Sequence, residues 1–127
     1  MPLVRITLRR GKSPEFLRDA GNAIHDALVS QANVPADDRF QIFEELEDDR
    51  LIAHPSYGGV ERSANLIIIQ ITLNAGRTVE IKRSLYADIA RRLQDAVDVR
   101  PDDVLINLVE VTKENWSFGK GLATYAM

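Results

Sequence analysis

The chain opens Met1-Pro2 and runs directly into an apolar stretch, Leu3 to Leu8. Methionine is generally removed when a small residue follows it. The mature chain is therefore expected to begin at Pro2 and to carry a secondary amine there. An α-amino group titrates near pKa ~8, and burial or nearby cations disfavour its charged form. A proline amine held at a strand start and lowered in this way is a base usable near neutrality; left protonated, it is an acid. The plainer reading is that Pro2 only opens a strand, where a missing N–H costs little. Other reactive groups are scarce. With no cysteine in the chain, disulfides, thiolate metal sites and Cys nucleophiles are excluded. His25 and His54 stand apart, cannot hold a metal without carboxylate help, and are expected to be structural or exposed. No metal site is expected.

The remaining candidates are charged. Asp37-Asp38 follow Pro35-Ala36, and Asp102-Asp103 follow Pro101 in the same setting, so shaping a turn is part of what such a pair does. Arg77 falls where a helix is expected to open, a poor place for a cation against the helix dipole. That invites a functional reading beside the bland one of a solvated side chain. The net charge of -3, with both signs interspersed, argues against nucleic acid as a partner. Arg5, Arg9 and Arg10 break the first apolar stretch, so no signal peptide is expected. No apolar run approaches the roughly 20 residues that cross a bilayer. A cytoplasmic protein without a membrane partner is the expectation.

The elements that must position these residues come from a duplication. Shifted by 65 positions, residues 2–45 lie over residues 67–110 without a gap. Ile6-Thr7-Leu8 falls on Ile71-Thr72-Leu73, Gly11 on Gly76, Glu15 on Glu80, Arg18 on Arg83, Val34 on Val99, and Asp37-Asp38 on Asp102-Asp103. Each half reads as strand, turn, helix, loop, strand. Leu3 to Leu8 alternates as a strand, and Ser13-Pro14-Glu15 carries the signals of a helix start. A second strand follows from about Arg39 to Glu45. The second half repeats this with Leu66 to Leu73, a helix opening at Thr78, and Val104 to Val111. Ile81, Leu85, Ile89 and Leu93 fall on one stripe of that helix.

A β-α-β connection makes its two strands parallel. The predicted class is α+β: duplicated β-α-β units forming a four-stranded mixed sheet with two helices on one face, in a single domain spanning residues 1–127. Two helices leave the other face of the sheet uncovered, which points to packing between copies of the chain. Leu46 to Arg62 is expected to be a linker with a short hairpin, and the tail from Asn115 to pack against a neighbour.

Four segments in this order resemble the tautomerase superfamily. They are Pro2 before an apolar strand, Val34-Pro35-Ala36-Asp37-Asp38-Arg39-Phe40-Gln41, Asn74-Ala75-Gly76-Arg77-Thr78, and Asn115-Trp116-Ser117-Phe118-Gly119. The chain looks like a double-length member, similar to the malonate semialdehyde decarboxylases and to 4-oxalocrotonate tautomerase-like proteins. The resemblance implies a cofactor-independent homotrimer with the proline amine at the floor of each pocket. It implies that Asp38 works beside the proline, that Arg77 grips a substrate carboxylate with help from Asn74, and that Trp116 and Phe118 form an aromatic wall. Decarboxylases of this kind often carry two arginines separated by one residue after the third strand; here Arg77 stands alone.

Three functions are expected. A neutral proline would move a proton on a small 2-oxo or enol acid, as a tautomerase. A protonated one would support decarboxylation of a 3-oxo acid such as malonate semialdehyde, with hydratase side activity. If Met1 is retained, the Pro2 nitrogen is an amide and a non-catalytic trimeric binding protein results.

Overall fold

Both repeats begin with alternating residues that can bury only one face, as a strand's period of two requires. The computed structural model describes residues 2–125, so Met1, whose removal decides the state of the Pro2 nitrogen, lies outside the described residues. In Leu3–Arg9 (β1) the buried residues are Val4, Ile6 and Leu8; in Ile67–Asn74 (β3) they are Ile67, Ile69, Ile71 and Leu73. Each strand leads into a helix, Pro14–Ala32 (α1) or Val79–Val97 (α2). Ser13 Oγ accepts from Phe16 N at 3.1 Å and Thr78 Oγ1 from Ile81 N at 3.2 Å, satisfying amides that a helix start leaves orphaned. The helices end on Asn33 and Asp98, at φ 56° and 57°, in the left-handed conformation that short polar side chains tolerate.

Gln41–Leu46 (β2) and Val104–Val111 (β4) complete the units. The sheet order is β2-β1-β3-β4, with β1 parallel to β2, β3 parallel to β4, and β1 antiparallel to β3. The fold is thus α+β with a mixed sheet. Ala20, Ile24 and Leu28 of α1 and Leu85, Ile89 and Leu93 of α2 form one core with the buried strand residues. On the other face Ile42 and Val109 are each 38% exposed and Arg5 and Gln70 are exposed, so a single chain leaves that face uncovered. No helix among the described residues is long and apolar enough to cross a membrane.

The duplication reaches individual hydrogen bonds. Arg10 N donates to Leu46 O and Ala75 N to Val111 O, both at 2.9 Å. It also continues beyond residues 45 and 110, where the sequence match fades. A 3₁₀ turn at Asp48–Arg50 corresponds to one at Lys113–Asn115, which carries the correspondence to Leu51 and Trp116. β2 starts at Gln41 rather than about Arg39: the turn lies at Ala36-Asp37, and residues 38–40 are irregular before the strand begins.

No hairpin forms between Leu46 and Arg62. After the 3₁₀ turn the loop is closed by one backbone bond, Arg62 N donating to Pro55 O at 2.8 Å, and by its own side chains. His54 Nδ1 accepts from the amides of Ser56 and Tyr57, both at 3.1 Å, and Arg62 Nη1 donates to the carbonyls of His54 (3.2 Å) and Tyr57 (2.6 Å). Backbone groups satisfied in this way do not need a strand partner. His25 is buried with Nε2 2.8 Å from Ala36 O, which ties α1 to the following loop.

Asp103 anchors the segment leading into β3. It is 1% exposed and accepts from Ser63 N and Ser63 Oγ, both at 2.7 Å, and from Arg100 Nε at 3.2 Å. Burial pushes its carboxyl upward, but the Ser63 hydroxyl and amide, and then Arg100, outweigh this and hold it below the usual carboxylate range. A group lower in the folded than in the unfolded state stabilises fully above its unfolded value. That contribution is lost as pH falls through the folded value. Asp103→Ala is therefore expected to cost about 2–3 kcal/mol near neutrality in urea unfolding. The gap to the parent should narrow as pH falls below about 4.

Candidate active site

Pro2 is buried at the start of β1, the strand paired on both sides. Val4 N donates to Phe40 O at 3.0 Å, so the parallel pairing of β1 with β2 brings the Asp38-Arg39-Phe40 segment alongside Pro2. The antiparallel pairing with β3 sets Leu3 opposite Thr72, which places the far end of β3 and the segment after β4 beside the same point. A cavity of about 210 Å³ results, lined by Pro2, Leu3, Phe40, Trp116, Ser117 and Phe118. It draws on both repeats, and its lining is mainly apolar and aromatic.

The tail forms one wall of this cavity. Trp116 and Phe118 have ring centroids 5.9 Å apart, and Phe118 meets Tyr125 edge-on at 5.1 Å. Positive φ at Gly119, Lys120 and Gly121 turns the chain back, and Phe118 N donates to Thr124 Oγ1 at 3.1 Å.

Asn74, Arg77 and Trp116 are brought together, though Asn74 and Arg77 do not line the cavity. Trp116 Nε1 donates to Asn74 Oδ1 at 2.8 Å. Arg77 Nη1 donates to Asn74 O at 3.1 Å, while its Nε and Nη2 donate to Ala32 O at 3.1 and 2.9 Å. The expected placement of Arg77 in a helix's first turn is corrected here. It precedes the N-cap Thr78 and reaches the last residue of α1. A cation is favoured at a helix C-terminus, and α1 has no basic residue of its own in its last turn. The half-buried guanidinium lies against the carbonyl end of α1.

Asp38 is half-buried, and its amide donates to Pro35 O at 3.0 Å. Its counterpart Asp103 holds Ser63, four residues before β3; moved back by 65 positions, Ser63 has no counterpart in the chain. Phe40 and Ser117 line the cavity without having been singled out as site residues. The pairing of Phe40 with the start of β1 could have identified the former; nothing local marks Ser117. Among the described residues, no group of three or more His, Cys, Asp or Glu side chains could hold a metal ion. A larger groove of about 490 Å³ runs between α1 and α2, but its two arginines are already paired: Arg91 and Arg92 both bind Asp88, at 2.6 and 2.9 Å.

Sequence models of the family described as "Tautomerase enzyme" match residues 2–60 and 38–119. The chain is 42% identical over 123 residues to the probable tautomerase YusQ of Bacillus subtilis (strain 168), covering 97% of each protein. Among solved structures it is similar to FG41 malonate semialdehyde decarboxylase inhibited by 3-bromopropiolate. That match has a TM-score of 0.90 and 39% identity, and covers 97% of this chain and 93% of the other. A symmetric trimer of fused 4-OT is also similar, with a TM-score of 0.79, 25% identity and 98% of each chain covered.

The Asn74 side chain fixes the plane of the only tryptophan, which makes the wall directly observable. Asn74→Leu removes the acceptor and is expected to cost about 1 kcal/mol of stability and to leave Trp116 more open to acrylamide quenching. Asn74→Asp keeps an acceptor oxygen in place and should quench like the parent.

Proposed function

The chain belongs to the tautomerase superfamily, and we propose that it is an amino-terminal-proline acid–base enzyme acting on small 2-oxo or enol carboxylic acids. The observation that carries this is the position of Pro2: buried at a strand start and lining an apolar cavity built from both repeats. With Met1 removed, its nitrogen is a secondary amine whose place is set by strand pairing, unlike a frayed terminus. Apolar surroundings disfavour the ammonium form and leave a base.

In this mechanism the neutral amine takes a proton from the carbon next to the substrate carbonyl and returns it farther along the chain. Trp116, Phe118 and Phe40 hold the carbon skeleton and exclude water. Arg77 attracts the carboxylate. Its Nε and Nη2 now share one acceptor, Ala32 O, and an incoming carboxylate would take that edge as a two-pronged partner. Asp38, on the segment that the β1–β2 pairing brings alongside Pro2, orients the amine's proton or a water. The resemblance to fused 4-OT trimers supports a homotrimer, in which the uncovered face of the sheet would be buried.

Decarboxylation of a 3-oxo acid is the second reading. It is favoured by the similarity to malonate semialdehyde decarboxylase across nearly the whole of both chains. The two separate by protonation state. Tautomerisation needs the neutral amine and rises with pH through its titration; decarboxylation needs the cation and falls over the same range.

With enol acids, 3-oxo acids and halogenated acrylates as a substrate panel, Pro2→Ala is expected to lower kcat/KM by about 10²–10⁴-fold. Arg77→Ala should lower it by roughly 10- to 150-fold, mainly through KM. Turnover unchanged in either variant removes that residue from the mechanism. Absence of any activity in protein whose intact mass lacks Met1 would favour a binding protein.

A further inference from the structure

The relation that duplicates the fold also duplicates the cavity. Moved by 65 positions, Leu3 falls on Ile68 and Phe40 on Leu105, while Ser117 and Phe118 fall back on Ile52 and Ala53. All four of these counterparts line a second cleft, of about 250 Å³. Because β1 and β3 run antiparallel, it lies at the opposite end of the sheet from Pro2. It cannot repeat the first cavity's chemistry. Ile67 stands in the place of Pro2, with a peptide nitrogen inside the chain, and the carboxylate at the place of Asp38 is Asp103, already engaged by Ser63 and Arg100.

What this cleft has instead is donors over an apolar floor. Arg62 is fixed through Nη1 by the carbonyls of His54 and Tyr57. Its Nε–Nη2 edge has no partner, and no carboxylate pairs with it, among the described residues. His54 accepts two amides at Nδ1, so its neutral ring carries the proton on Nε2. Tyr57 adds a phenol, and no acidic side chain lines the cleft among the described residues. Leu66, Ile68 and Leu105 supply the apolar surface. Ile52 is 93% and Tyr57 78% exposed, so the single chain leaves the cleft open to solvent.

We propose that this cleft is a second, non-catalytic site for a small carboxylate with an apolar body. The Arg62 edge takes the carboxylate as a two-donor fork, and the floor takes the hydrocarbon. The site stands whether or not Pro2 is catalytic.

Benzoate is a suitable probe, followed by amide chemical shifts in the ¹⁵N-labelled full-length protein. Two groups of shifts are expected, one around Trp116 and one at Ala53, Tyr57 and Ile68, with separable affinities. Arg62→Gln should weaken the second about tenfold or more and leave the first unchanged. Since Arg62 also ties its loop, Ala53→Glu serves as an independent variant: it sets a negative charge in the cleft without removing those bonds and should produce a similar loss. Benzyl alcohol, with the same ring and no charge, should bind the cleft more weakly than benzoate. The proposal is overturned by benzoate shifts confined to the Pro2 end, by cleft affinity unchanged in both variants, or by benzyl alcohol binding as tightly. It is equally overturned if the cleft amides ignore benzoate and shift only with protein concentration, because a second copy of the chain then covers them.

Discussion

The antiparallel pairing of β1 with β3 is the contact on which everything else in the molecule depends, because it joins the repeats around a twofold relation. Arg5 lies opposite Gln70, its own counterpart 65 positions on. Each strand start therefore lies beside the other repeat's strand end, and neither repeat can build a cavity alone. The register is held by the fully buried pair Ile6 and Ile69 at the junction. A slip by one residue would turn the apolar set of β1 to the open face and set the polar set against the core.

The symmetry is broken where chemistry is proposed. At one end the acidic position, Asp103, anchors Ser63 ahead of β3; at the other its counterpart, Asp38, is half-buried in the segment that the β1–β2 pairing sets alongside Pro2. Leu51 and Trp116 occupy matching places and are tied to matching strand ends by different means: Arg9 Nη2 donates to Leu51 O at 2.9 Å, whereas Trp116 Nε1 donates to the Asn74 side chain. Ala53 leaves open what Phe118 walls off. One half thus contributes an aromatic enclosure, and the other keeps a shallower cleft whose polar groups are donors.

Much of the architecture was legible because it rests on local chemistry. Alternation marked β1 and β3, Ser13-Pro14 and Thr78 marked the helix starts, and the ungapped repeat fixed the order of elements. The limits of that legibility are equally physical. The match between the repeats fades after residues 45 and 110, since Asp48 and Lys113, or Leu51 and Trp116, share a backbone path without sharing a side-chain type. The loop up to Arg62 has hairpin composition but is closed by a single backbone bond and two of its own side chains. Arg77 looked misplaced against one helix dipole because the helix it serves ends 45 residues earlier, a contact only the packing of α1 can supply. Phe40 and Ser117 reach the cavity through strand register, which side-chain type does not announce.

The nitrogen of Pro2 is where the functional reading is most exposed. In protein made in its own host and labelled with ¹⁵N-proline, a catalytic terminus predicts one proline nitrogen that moves with pH as a secondary amine, and whose titration parallels the activity. Proline nitrogens that all remain in the amide range, unmoved across the pH range of activity, would contradict it.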